Sequence, residues 1–156
     1  MGTLNSEAIF ASLYQRLLAH LVSNGLKQTR QREDILRSFV ECGGHVSIEE
    51  LVAHVRKRKG NIGHATVYRT MRLFVESGIA AERHFLDGPA RYETAEVLDD
   101  DHHDHLICTK CTAIVEFEND EIEELQEQVA KGFGFKLTNH KMELYGICPD
   151  CQIKTN

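Results

Sequence analysis

Apolar residues recur at helical spacing through the first half of the chain. Ile9, Leu13, Leu17 and Leu21 repeat every fourth position, predicting a helix over 7–23 that Gly25 stops. A second helix is predicted over 29–42, with Thr29 as its cap, Ile35, Leu36, Phe39 and Val40 inward, and Gly43-Gly44 after it. Ser47 with Glu50 three positions on is a capping box that starts a third helix through about residue 59, burying Ile48, Leu51, Val52 and Val55. A fourth, over 64–77, buries Val67, Met71, Phe74 and Val75 and ends at Gly78. Strands over 79–86 and 90–95 then flank Asp87-Gly88, a hairpin-turn signal. Helices that lead into a hairpin predict a winged helix-turn-helix.

Beyond an acidic stretch at 96–101 the pattern changes to strand (104–108), strand (112–117), helix (120–131) and strand (about 135–147). Asn119 can cap the helix, and Ile122, Leu125 and Val129 give it a stripe expected to be buried. The expected fold class is therefore α+β: a winged helix-turn-helix domain over 1–95, a hinge over 96–101 and a small α/β dimerisation domain over 102–156. A unit of roughly 50 residues is too small to be stable on apolar burial alone, so it needs a metal or a partner subunit.

The inward set of the fourth helix leaves Thr66, Tyr68, Arg69 and Arg72 toward solvent. A tyrosine and two arginines beside a hydroxyl on one exposed face suit a major-groove reader, since arginine can address guanine or phosphate. The net charge of −6 hides a division. Residues 1–92 hold 13 Lys/Arg against 9 Asp/Glu, net +4, whereas residues 93–156 hold 5 against 15, net −10. Phosphate is the expected partner of the first half and cations of the second. The run Arg56-Lys57-Arg58-Lys59 reads equally as a solvated helix end and as a phosphate contact. No apolar run of membrane-spanning length and no secretory pattern is present, so a cytoplasmic protein with reduced thiols and no membrane partner is expected.

Metal ligands are concentrated in residues 102–116, which carry His102, His103, Asp104, His105, Cys108, Cys111 and Glu116. Cys108 and Cys111 form one C-x-x-C pair, and Cys148 and Cys151 form another after 36 intervening residues. Two such pairs in a reducing compartment favour a closed tetrathiolate site for structural zinc (Zn2+) over a redox dithiol. Cys42 has no partner motif and is expected to be a small buried hydrophobe, and His20, His54, His64 and His84 to be ordinary surface or core groups. On a strand, His102 and Asp104 point opposite to His103 and His105, so one segment can serve two sites. Mixed nitrogen and oxygen donors suit Fe(II), Mn(II), Co(II) or Zn(II).

These motifs together resemble the ferric uptake regulator (Fur) family of bacterial metal-dependent repressors, over nearly the full chain. The likeness is carried by His45-Val-Ser47, Ala65-Thr-Val-Tyr-Arg69, Arg91-Tyr-Glu93, His102-His-Asp-His-Leu-Ile-Cys108, Cys111, Glu116, Leu137-Thr-Asn-His140, Tyr145-Gly and Cys148-x-x-Cys151. The resemblance implies three sites. Structural zinc would sit on Cys108, Cys111, Cys148 and Cys151. A regulatory Fe2+ site, which Mn2+ or Zn2+ could fill in vitro, would use His45, Glu93, His103, His105 and Glu116. A further site would use His102, Asp104, Glu123 and His140. The family also implies a homodimer on an AT-rich palindromic operator near iron-uptake promoters, with the pairing of dimers into tetramers left open.

Ligands on both sides of the hinge would let metal fix one relative orientation of the domains, and in a dimer the spacing of two reading helices. Within the family, peroxide sensors typically carry aspartate where this chain has Glu93 and Glu116, and zinc- or manganese-responsive repressors share the same ligand types. Outside it, a metalloenzyme is disfavoured because the chain has no H-E-x-x-H pattern, nucleophile–base pair or Gly-rich phosphate loop. A zinc-stabilised interaction module without DNA would not explain Tyr68, Arg69 and Arg72 on one face.

Overall fold

The computed structural model describes residues 6–95 and 103–153. The expected hinge at 96–101 and His102 lie outside the described residues. The chain forms two compact units that divide between Asp99 and Asp100.

The first unit contains four helices, α1 (Ser6–Ser23), α2 (Arg30–Cys42), α3 (Ile48–Arg58) and α4 (His64–Glu76), then strands β1 (Ala80–Arg83) and β2 (Arg91–Thr94). Each helix begins or ends where local chemistry dictates. Thr29 accepts from the Arg32 amide to cap α2, and Ser47 and Glu50 form a complete capping box on α3. Gly78 adopts a left-handed φ of 67° after α4, which lets the Ile79 amide reach back to the Phe74 carbonyl at 2.8 Å. The apolar stripes converge on one core that includes Leu13, Leu17, Ile35, Leu36, Phe39, Leu51, Val55, Val67, Met71 and Phe74. Fully burying such side chains contributes about 1.5–3 kcal/mol each.

β1 and β2 pair antiparallel, with Ala81 opposite Glu93 and Arg83 opposite Arg91. Both are shorter than the predicted 79–86 and 90–95. Leu86 takes a left-handed φ of 53°, and the Gly88 amide bonds the Phe85 carbonyl at 3.3 Å, so the ladder ends before the turn. Val46 joins the hairpin through a two-way backbone bridge to Tyr92, at 2.9 and 2.8 Å. Cys42 is half-buried against the core, and burial pushes its thiol pKa up.

The second unit is a three-stranded sheet ordered β4-β3-β5, with α5 between the second and third strands in sequence. Its elements are β3 (Asp104–Cys108), β4 (Ile114–Phe117), α5 (Asp120–Gly132), β5 (Glu143–Gly146) and a short terminal helix α6 (Pro149–Ile153). β3 is antiparallel to β4 and parallel to β5, the latter made possible by the α5 crossover. Three sequence expectations need correction here. The strand expected over 112–117 starts at Ile114, because the Thr112 amide turns back to the Cys108 carbonyl. The strand expected over about 135–147 pairs only at Glu143–Gly146, and α6 was not anticipated. The α5 stripe is apolar as expected but not buried: Ile122 is half-buried, while Leu125 and Val129 are 58% and 61% exposed. Among the described residues this unit has only Ile107 and Cys108 as fully buried apolar side chains, too few to cover a helix face. Among the described residues, no helix is long and apolar enough to cross a membrane.

Candidate metal centres and reading helix

The four paired cysteines come from two chain turns that the β3–β5 pairing places side by side. Cys108 ends β3 opposite Gly146, and the Thr109 amide bonds the Gly146 carbonyl at 2.8 Å. Thr112, with a left-handed φ of 60°, closes the turn that carries Cys111. Cys148 precedes α6, whose Cys151 and Gln152 amides both bond its carbonyl. The four sulfurs lie within 4.8 Å of one another, with Cys111 and Cys148 at 3.6 Å. A tetrahedral zinc tetrathiolate requires S···S separations of about 3.8 Å, so this donor set fits zinc.

The electrostatics of the cluster agree with its geometry. Backbone N–H groups of Cys148, Cys111 and Lys110 point at Cys108 and lower its thiol to about 6. The sulfur neighbours Cys148 and Cys111 push Cys151 up to about 12. Four crowded sulfurs resist ionising together, and a cation among them removes that resistance.

In the first unit, His45 and Glu93 meet. His45 Nε2 is 2.8 Å from Glu93 Oε2, and Arg83 Nε donates to Glu93 Oε1 at 2.6 Å. Backbone architecture brings them together: His45 precedes Val46, which is bridged to Tyr92, the neighbour of Glu93. Arg91 fixes the same corner by donating to the His45 carbonyl at 3.2 Å and to Glu50 Oε2 at 2.8 Å. The His45 ring also meets Phe85 edge-on at 5.3 Å. Burial alone would raise the Glu93 pKa, but hydrogen bonds from His45 and Arg83 outweigh it and lower it to about 2. The carboxylate is thus charged and held, as a metal ligand must be.

In the second unit, β3 divides its ligands between two faces. His103 and His105 lie with ring centroids 5.0 Å apart, and His103 Nε2 is 3.9 Å from Glu116 Oε1. Glu116 sits directly across the ladder from His105. On the other face Asp104 is buried, with His140 Nε2 3.7 Å from it and 3.1 Å from Glu123. Glu123 is fixed in the first turn of α5 by its amide bond to the Asn119 carbonyl. Asp104, Glu123 and His140 offer ligand atoms within 4.8 Å of one another, so a nitrogen and carboxylate set suited to a divalent cation is assembled there.

Two polar residues near these groups escaped the sequence reading. Arg83 reaches Glu93 diagonally across the hairpin, and Glu143 lies beside His105 in the parallel register. Only the strand register reveals either, and periodicity does not supply register. The remaining histidines have ordinary surface partners: His20 with Asn24, His54 with Glu41, His84 with Glu82 and His64 with Glu49.

On α4, Tyr68 is 44% exposed, Arg69 and Arg72 are exposed, and Thr66 is half-buried. Val67, Thr70, Met71, Leu73 and Phe74 face the core, which fixes the helix rotation. Arg69 lies along the helix with its Nε on the Ala65 carbonyl at 3.2 Å, and Arg72 is 3.8 Å from Glu76. The outer face therefore offers a phenol and two guanidinium groups to a partner.

A family model described as "Ferric uptake regulator family" matches residues 23–145. A "Ferric uptake regulation protein" of Rhizobium leguminosarum bv. viciae is 43% identical over 123 residues, covering 79% of this chain and 84% of that protein. Among solved structures, the Helicobacter pylori ferric uptake regulator, described as having three functional metal binding sites, superposes with a TM-score of 0.81. It is 33% identical and covers 92% of this chain and 93% of that one. A zinc-bound manganese uptake regulator is 41% identical with a TM-score of 0.71, covering 85% of this chain and 98% of that one.

Proposed function

This chain belongs to the ferric uptake regulator family of metal-dependent transcription regulators, and on that premise we propose that it represses iron-uptake genes when ferrous iron is abundant. The observation that carries this reading is the division of ligand types between the units. His45 and Glu93 stand together in the first, and His103, His105 and Glu116 in the second. We assign all five to one regulatory site. A bound divalent cation supplies charge that neutralises the carboxylates and directional bonds that hold imidazoles and carboxylates together. The residues of the chain then do the rest. His45 and Glu93 hold one side of the site to the DNA-binding unit through the Val46–Tyr92 bridge and Arg91, while β3 and β4 hold the other. Loss of the cation leaves acidic groups that repel and relaxes the constraint between units, so operator affinity falls.

Zinc on Cys108, Cys111, Cys148 and Cys151 has a structural role in this proposal. Asp104, Glu123 and His140, with His102, form an additional site. Thr66, Tyr68, Arg69 and Arg72 read the operator, an AT-rich palindrome, in the cytoplasm. The protein acts as a homodimer, supported by the apolar face of α5. There Leu125, Val129, Phe133 and Phe135 surround a groove of about 630 Å³, the last two being 80% and 73% exposed.

A second reading has a specific observation behind it. The similarity to a manganese uptake regulator is as high in identity as that to many iron regulators, and the same donors accept either metal. Anaerobic operator binding by zinc-retaining protein, titrated separately with Fe(II), Mn(II) and Zn(II), distinguishes them. Activation by Fe(II) at micromolar levels supports the iron reading; activation by Mn(II) alone makes it a manganese regulator, and by Zn(II) at far lower levels a zinc regulator. Peroxide treatment of the Fe(II) form then tests for a sensor that oxidises a ligand histidine.

A further inference from the structure

Arg83 on β1 reaches across the hairpin to Glu93 on β2, its Nε donating to Oε1 at 2.6 Å. We propose that Arg83 is a positioning residue for metal: it holds Glu93 by one oxygen, and its charge sets how much divalent cation is needed to occupy the site. The inference rests on the reading above that Glu93 is a ligand of the regulatory site, and deepens it.

The strand register explains the contact. Ala81 lies opposite Glu93 and Arg83 opposite Arg91, so Arg83 is the diagonal neighbour of Glu93 on one face of the hairpin. Glu93 is only 7% exposed, so its carboxylate needs partners. Its two oxygens are divided between two neighbours: Oε1 takes the Arg83 donor, and Oε2 lies 2.8 Å from His45 Nε2. Oε2 is thus the oxygen on the side of the other proposed ligand of this unit, and Glu93 is directed to ligate through it. Arg91 does not share this task, since it donates to Glu50 and to the His45 carbonyl. Among the described residues, Glu93 is the only carboxylate within ion-pair distance of Arg83.

The guanidinium brings two effects of opposite sign. As a donor it fixes the orientation of a ligand, and losing such an outer contact typically costs roughly 10–100-fold in metal affinity. As a fixed positive charge it opposes a divalent ion on the other oxygen of the same carboxylate. At so short a range this repulsion exceeds thermal energy even at the dielectric of water. The Arg83 side chain is 42% exposed, which screens the repulsion without removing it. Substitution separates the two effects. A glutamine amide nitrogen stands as many bonds from Cα as arginine Nε, the atom that makes this contact. Arg83→Gln therefore keeps the donor and removes the charge, whereas Arg83→Lys keeps the charge.

Zinc-retaining protein should be titrated anaerobically with Mn(II), reading the free ion by electron paramagnetic resonance. The binding step that Glu93→Ala weakens is the one that belongs to this site. Arg83→Gln should tighten that step about tenfold, and Arg83→Lys should leave it within about twofold of wild type. Arg58→Gln, which removes a charge paired with Glu41 elsewhere in the same unit, should leave it unchanged. Melting temperature and zinc content check folding. If Arg83→Gln melts early, Ala81→Lys carries the test: a further cation directly across the ladder from Glu93 should weaken the step about tenfold. Arg83→Gln that binds Mn(II) no tighter than wild type, or Ala81→Lys without effect, overturns the proposal and leaves Arg83 a brace of the hairpin. Equal tightening by Arg58→Gln also overturns it, because net charge would then be the cause. Unchanged Mn(II) binding by Glu93→Ala would instead remove Glu93 from the metal site, and with it the regulatory reading itself.

Discussion

Glu93 is held from two sides, with His45 Nε2 2.8 Å from one oxygen and Arg83 Nε 2.6 Å from the other. These contacts bring its pKa from an ordinary 4.5 to about 2 despite burial. A depressed carboxylate contributes stability above its unfolded pKa and loses it as pH falls through the folded one. The contribution should therefore be complete above about pH 5 and decline toward pH 2, and with allowance for solvent screening it is on the order of 2 kcal/mol. Urea unfolding of zinc-retaining protein without added divalent metal should show Glu93→Gln destabilised by about that amount at pH 7, with the gap narrowing toward pH 4. An unchanged gap across that range would mean that the pair does not stabilise the fold.

The proposed regulatory site has a sharper test, because its donors come from both units. The double variant His45→Ala, His103→Ala should keep one zinc per chain and its dimeric state, yet lose the metal-dependent part of operator binding. Its affinity should equal that of metal-free wild type at every Fe(II) concentration. Retained Fe(II)-dependent binding, read by anisotropy under anaerobic conditions, would defeat the bridging idea.

Much of this architecture was legible because local signals and tertiary packing agree in the first unit. Ser47 and Glu50 cap α3 as their spacing predicts, and Leu13, Leu17, Phe39 and Phe74 are all buried. The hairpin was legible in kind but not in length, since Leu86 adopts a left-handed backbone that its side chain does not advertise. In the second unit the apolar period of α5 revealed a face that seeks cover, but period alone does not say whether the same chain supplies it. Of the candidate sites, the two C-x-x-C turns and the alternation of His103, Asp104 and His105 could be read as ligand groups because short-range spacing sets them. Arg83 beside Glu93 and Glu143 beside His105 depend on strand register, which one sequence does not encode in any local pattern.

The tetrathiolate cluster predicts how the second unit fails. With so few buried apolar side chains among its described residues, this unit would depend, on the proposed zinc reading, on a metal tie between the turn after β3 and the turn before α6. Structural zinc sites are worth about 10–16 kcal/mol in small peptides, far more than this core can replace. Cys111→Ser should lose its zinc and its dimer in sedimentation velocity, while the helical signal of the first unit persists in circular dichroism. A Cys111→Ser protein that still held one zinc and remained dimeric would show that the four thiols are not the site that maintains the unit.

The exposed stripe of α5 makes an opposite prediction, of lost association without lost metal. Leu125 and Val129 project from a helix whose own unit does not cover them, beside Phe133 and Phe135. Burying two such aliphatic side chains against a second copy would contribute about 3–6 kcal/mol per subunit, and introducing a charge there adds a desolvation cost. Leu125→Asp should therefore raise the dimer dissociation constant by at least two orders of magnitude in sedimentation equilibrium. Its zinc content and the melting of the first unit should remain at wild-type values. Operator affinity should fall with it, because two reading helices no longer bind as one, and raising protein concentration should restore it. If Leu125→Asp dimerised normally, the α5 face would not be the subunit interface, and its apolar groove would need another occupant.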